Sequence, residues 1–335
     1  MTVPQFIGGG KITLGPRPKP EPGEGRLLLR VKANALCGSE KGQFYGGSKI
    51  TPGHEAAGIV IAAGPQTSTP VGTPGAVYLM DFCGQCRSCR QGFTNQCLNK
   101  RADMGFSHDG GYGPFEVVAE TIFFPTAPEI SATEATLLLD IMGTGGHSLA
   151  RGRLVRPDIE SILVMGAGPI GLGVLAMAKV LFPKETPVYI ADFVPYRLQL
   201  AEKLGGIPIN LAGRPADRLL EGALFQPADL AVDTSGKTAA RQTAIEVLGP
   251  RGVLICVGHG EELNLNVSQH LIGPEKAVLG SEYFAFNELP ENLRLLKAHR
   301  AYFNQIITHR FGVNEIQHAF ELFFKGETGK VVFEQ

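Results

Sequence analysis

The 335-residue sequence lacks an excess of charge of either sign: 31 lysines and arginines stand against 32 aspartates and glutamates, a formal net charge of −1. Nucleic-acid binding rests on a basic surface, so a phosphate-coated partner is disfavoured. The first 30 residues contain no apolar run of signal-peptide length, which argues against export and for a cytoplasmic protein. No internal repeat and no low-complexity segment occurs. One stretch, residues 162–182, has membrane-like hydropathy, yet it begins β-rich and carries glycines at fixed offsets. A buried parallel strand turning into a helix gives the same hydropathy, so no membrane partner is expected.

Cysteines are also scarce, six in all, but four of them crowd into fifteen residues: Cys83, Cys86, Cys89 and Cys97. The spacing C-x2-C-x2-C-x7-C wraps four thiolates around one tetrahedral Zn²⁺, and in a reducing compartment clustered thiols are more often metal ligands than disulfides. Four thiolates leave no open position, so this zinc is structural. Of the remaining two, Cys256 lies in the apolar run VLICVG and reads as packing.

Along residues 1–145 short strands are broken by Gly and Pro, as in RLLLRVKANAL, AAGIVIAAG, GAVYLM and GPFEVVAE, which reads as an all-β, barrel-like domain. SATEATLLLDIMG opens with a capping box, Ser131 to Glu134, and its pattern predicts a continuing apolar helix. From about 150 strands and helices alternate, implying a doubly wound parallel sheet. Gly166, Gly168 and Gly171 form G-x-G-x-x-G between a predicted strand and helix. The three allow a tight turn, close backbone approach to a pyrophosphate, and tight helix packing. Pro169 has no N–H, which leaves Ile170 as the backbone donor to a diphosphate on the helix N-terminus. Asp192 ends the next strand, where a carboxylate accepts ribose hydroxyls and repels a 2′-phosphate, favouring NAD over NADP. Arg197 could flank the adenosine, and Val257, where GVLICVG closes the series, completes the candidate cofactor-binding set.

Cys37-Gly38-Ser39, Gly53-His54-Glu55-x2-Gly58-x5-Gly64, the cysteine cluster and the glycine fingerprint, in that order, resemble the zinc-containing medium-chain alcohol and polyol dehydrogenases over essentially the whole chain. The resemblance implies a GroES-like β-barrel catalytic domain over 1–147 with a structural-zinc lobe at 83–97. It further implies a Rossmann NAD-binding domain over 148–283 and a return to the catalytic domain over 284–335. It implies Cys37 and His54 as catalytic zinc ligands, and Asp140 as the third, where many relatives have cysteine or glutamate. A bare carboxylate in the apolar surroundings of Asp140 is costly unless a dication lies beside it. Glu55 and His147 compete for that place; Glu55 reads as a group behind the site or a transient ligand, His147 as a packed histidine near the cofactor. Ser39 resembles the family hydroxyl that bonds substrate oxygen and passes its proton on. Some relatives continue with a relay histidine where this chain has Gly42, so Lys41, Gln43 or a ribose hydroxyl is left to carry the proton onward.

The expected activity is zinc-dependent hydride transfer between NAD and a secondary alcohol, polyol or cyclitol-like substrate, in a homodimer or homotetramer. Alternatives on the same fold are a zinc-free quinone or enone reductase and a non-enzymatic NAD-binding protein. Phe44, Tyr45, Phe82, Met104, Met142 and Tyr283 are expected to line a partly apolar substrate cleft.

Overall fold

The computed structural model describes residues 1–213 and 227–335. The chain forms two compact units, one made of residues 1–139 and 285–335, the other of residues 140–284.

In the first unit a two-stranded hairpin, Thr2–Gly8 and Lys11–Pro16, precedes a seven-stranded, mainly antiparallel sheet. The strand Arg26–Ala35 is its centre, paired with Glu55–Ala63, Phe115–Ala119 and the C-terminal Lys330–Glu334. Leu27, Leu28, Leu29 and Val31 along it are all buried, so the strand is covered on both faces over its first half. Its register sets which chain segments become neighbours. Ala35 faces Glu55 across one antiparallel pair and Val332 across another. The chain leaving Ala35 toward Cys37, the chain entering at His54 and the start of the last strand at Lys330 therefore meet at one end of the sheet.

The second unit is a six-stranded parallel sheet whose order, counted along the chain, is 3-2-1-4-5-6. The strands are Ile162–Met165, Val188–Asp192, Ile207–Asn210, Ala228–Asp233, Leu248–Cys256 and Ala277–Gly280. Helices Pro169–Leu181, Pro195–Lys203 and Thr238–Val247 follow the first, second and fourth of these strands, as parallel pairing with crossovers requires. The membrane-like stretch resolves into the first of these strands and a thirteen-residue helix. Among the described residues no helix is long and apolar enough to cross a membrane. Cys256 is half-buried against the sheet core.

The expected apolar helix after Ser131 is corrected. The capping box forms, with Ser131 and Glu134 bonded reciprocally, but the helix Ala132–Ala135 runs only four residues before a 3₁₀ turn. Leu139 then leaves helical geometry, with ψ at −109°. Asp140 opens a wide π-type turn, Asp140–Thr144, and the helix resumes only over Gly145–Val155. The glycines of this stretch are closely packed. A Cβ at Gly143 would fall 2.3 Å from the Phe284 ring, and one at Gly145 would fall 2.8 Å from the backbone of Gly173.

Candidate functional site

The first metal-ligand group is the cysteine lobe. One sulfur from each of Cys83, Cys86, Cys89 and Cys97 lies within 4.8 Å of the others, and no disulfide joins any of the six cysteines. The Cys86 sulfur is 3.5 Å from Cys89 and 4.0 Å from Cys97. Tetrahedral Zn–S bonds of ~2.3 Å require sulfurs ~3.8 Å apart, so the spacing fits zinc and is far too long for an S–S bond. Backbone N–H groups aim at the sulfurs: Cys89 and Leu98 donate to Cys86, Gln85 and Cys86 to Cys83. Those donors lower the Cys86 thiol to about 6 and pull Cys83 down as well, while burial pushes Cys89 up to about 12. A thiol held protonated by burial is the one a dication would ionise.

The second group lies where the sheet register brings three chain segments together. Cys37 follows the central strand and precedes the 3₁₀ turn Gly38–Glu40. Glu55 opens the neighbouring strand with His54 just before it, and Asp140 is bonded directly to the last residue of the first unit's N-terminal part, Leu139. One ligand atom from each of Cys37, His54, Glu55 and Asp140 lies within 4.8 Å of the others, and all four residues are buried. Glu55 is thus in the group and not only behind it. His147 is not among the four, though it is buried.

Charge tests whether these residues suit a metal. The Glu55 carboxylate pairs with the Lys330 ammonium, both 0% exposed. The Cys37 sulfur and the Asp140 carboxylate are buried in the same group, and a dication would favour the charged form of both donors. The imidazole is oriented to suit a metal as well. His54 Nδ1 lies 3.0 Å from Glu40 Oε1, which selects the tautomer whose Nε2 carries the lone pair. Glu40 in turn accepts a 2.5 Å bond from the Tyr112 hydroxyl. Neither Glu40, Tyr112 nor Lys330 was singled out by the sequence; the one available signal was the position of Glu40 three residues after Cys37.

Around this group, Ser39 is exposed on the 3₁₀ turn and Lys41 is exposed just beyond it. Gln43 is tied by its amide to Gly105 O at 2.8 Å. The Phe106 ring, missing from the sequence-derived cleft, lies 5.0 Å from the His54 ring and is 37% exposed. Of the expected cleft residues, Phe44 is corrected to core, packed with Phe320, Phe6 and Tyr112. Phe44 follows the amphipathic logic of its short helix, Lys41–Gly46, whose one buried residue it is.

In the second unit the strand Ile162–Met165 ends at Gly166, whose φ of +98° only glycine adopts without strain. A Cβ at Gly171 would fall 1.8 Å from Gly166 O, so the helix packs too tightly for any side chain. At Gly168 the situation is the opposite, with nothing closer than the Arg197 guanidinium at 4.0 Å. That side is open, and the helix N-terminus beyond it, with Ile170 in its first turn, is a place for an anion. Asp192, 8% exposed, ends the second strand; its carboxylate accepts from Ala167 N at 2.7 Å and Val194 N at 2.9 Å. It therefore braces the glycine turn. Burial lowers the Arg197 pKa, with Asp192 opposing the shift. Val257 N donates to Asp233 O at 2.9 Å, and the buried Asp233 carboxylate gathers Ser235, Gly236 and Arg241, shaping the ends of the fourth and fifth strands.

Residues 23–128 match the alcohol dehydrogenase GroES-like domain, and residues 146–334 match the glucose dehydrogenase C-terminus. An uncharacterized zinc-type alcohol dehydrogenase-like protein of Escherichia coli is 26% identical, covering 99% of this chain and 98% of its own. The L-threonine 3-dehydrogenase of Shewanella sediminis is 28% identical over 94% of both chains. An alcohol dehydrogenase from Escherichia coli CFT073, solved with NADH, has the same fold: its TM-score is 0.89 at 23% identity, with 100% of this chain and 99% of that one covered.

Proposed function

The chain belongs to the zinc-containing medium-chain dehydrogenase/reductase family, and from that premise we propose a zinc-dependent, NAD(H)-linked oxidation of a small alcohol to its carbonyl compound, or the reverse. The observation that carries the proposal is the buried set Cys37, His54, Glu55 and Asp140, a thiol, an imidazole and two carboxylates whose ligand atoms lie within 4.8 Å of one another. Cys37, His54 and Asp140 would hold the catalytic zinc, and Cys83, Cys86, Cys89 and Cys97 the structural one. When bound, zinc supplies a Lewis acid for the substrate oxygen, and the nicotinamide supplies the hydride acceptor.

The protein's own residues do the rest. Lys330 neutralises Glu55, so that this carboxylate can stay buried in the group. Glu40 keeps His54 in the tautomer that presents Nε2. Ser39, exposed two residues past Cys37, is the hydroxyl positioned in the chain to take the substrate's hydroxyl proton. Because Gln43 is tied to Gly105, the onward proton route favours Lys41 or a ribose hydroxyl. On the cofactor side, Gly166, Gly168, Ile170 and Gly171 would receive the diphosphate, and Asp192 with Arg197 and Val257 the rest of the dinucleotide. A carboxylate at the ribose favours NAD over a 2′-phosphorylated cofactor by charge.

An NAD⁺-reduction screen over secondary alcohols, sugar alcohols and aminocyclitols tests the reading. Turnover of at least one class, lost on metal removal and restored by zinc, is the expected outcome. Dinucleotide binding with no turnover across the panel would contradict it.

A further inference from the structure

Tyr112 contributes a fully buried ring to an aromatic cluster with Phe6, Phe320 and Phe333. A phenylalanine would satisfy that packing. A phenol there must find a partner for its hydroxyl or bear the cost of burying it bare. Its partner is Glu40 Oε2 at 2.5 Å, and the other oxygen of the same carboxylate lies 3.0 Å from His54 Nδ1. Glu40 is itself 0% exposed, which shields both contacts from solvent. The backbone closes the arrangement: Tyr112 N donates to Pro52 O, and Gly111 N to Gly53 O, so the Tyr112 loop is fastened to the residues that enter His54.

We propose that Tyr112 is a positioning residue for His54, acting through Glu40. A glutamate has three rotatable side-chain bonds, and one contact to the imidazole would leave its carboxylate free to turn. The hydroxyl anchors the second oxygen, so the first meets Nδ1 at a fixed angle and the Nε2 lone pair keeps one direction. Supporting carboxylates of this kind change metal affinity about 10- to 100-fold when removed. This role rests on the proposed function, in which His54 is a metal ligand.

Tyr112→Phe keeps the ring and removes only the hydroxyl. The experiment measures zinc affinity of the full-length protein by chelator competition, with the four-cysteine site as internal reference, and the visible spectrum after cobalt replaces zinc. The expected result is a loss of about tenfold or more at the Cys37 site, none at the four-cysteine site, and shifted cobalt bands. In a Glu40→Gln background the same change should cost nothing further, because Tyr112 acts through that carboxylate. Wild-type affinity in Tyr112→Phe, or losses that simply add, would overturn the proposal. Cys37→Ser separates the two levels. If it loses the second metal while Tyr112→Phe does not, the positioning role alone falls; if Cys37→Ser keeps that metal, the metal-site reading falls with it.

Discussion

Cys37→Ser preserves shape almost atom for atom but exchanges a donor that ionises readily for an alcohol that does not. Turnover should fall at least about 100-fold while dinucleotide titration gives unchanged binding, because the glycine fingerprint lies in the other unit. Full activity would remove Cys37 from the ligand set. Asp192→Ala should weaken the preference for NAD over NADP, measured as the ratio of kcat/KM values. It also removes the acceptor of the Ala167 N–H, so weaker binding of both cofactors is expected beside the changed ratio. Glu116 makes a separate prediction. It is 1% exposed in the strand Phe115–Ala119, beside Leu29, and neither oxygen has a hydrogen-bond partner among the described residues. Burial raises its pKa well above the ordinary 4.5, and Asp109 adds to the rise. The folded state thus retains a proton that the unfolded chain releases. Its contribution to stability is complete below pH 4.5 and is lost as pH climbs toward the folded value. Glu116→Leu should flatten that decline, giving a higher urea midpoint than wild type at pH 8.5 and a smaller gain at pH 5.

At the scale of elements, Gly53 shows how a turn fixes a ligand. Its φ is +103°, and a Cβ would lie 2.7 Å from Tyr112 N. Gly53→Ala should displace the entry to His54, costing roughly 1–3 kcal/mol in denaturant unfolding and lowering affinity for the second metal. The cysteine lobe depends on its metal differently. Its helix, Arg87–Arg90, has four residues and is capped by the Cys86 sulfur, too little to hold itself together. Stripping zinc should open residues 83–97 to proteolysis while the parallel sheet keeps its helical circular dichroism. The same elements show what was legible beforehand. Patterns contained in one segment could be read: the cysteine spacing, the glycine fingerprint between strand and helix, the Ser131 capping box. The supports of the second metal group could not. Tyr112 meets Glu40 across 72 residues and Lys330 meets Glu55 across 275, and nothing local marks a residue chosen by sheet register. The break at Leu139 was hidden as well, because apolar periodicity runs straight through it.

For the whole molecule, the strand Ala277–Gly280 closes one edge of the parallel sheet and is only partly buried, with Val267 at 54% and Ile272 at 68% exposure just before it. A sheet edge uncovered among the described residues, beside exposed apolar side chains, invites pairing with a second copy. Light scattering should therefore find a dimer or tetramer, and Ile272→Asp should shift it toward monomer; a wild-type monomer would refute the pairing. Two differently built metal groups in one chain, one of four thiols and one of mixed donors, underlie both the proposed chemistry and the stability of the cysteine lobe. Metal analysis of the purified protein and of Cys37→Ser tests that most directly. Two zinc ions per chain in the wild type and one in the variant is the predicted result; one in both, or two in both, would contradict it.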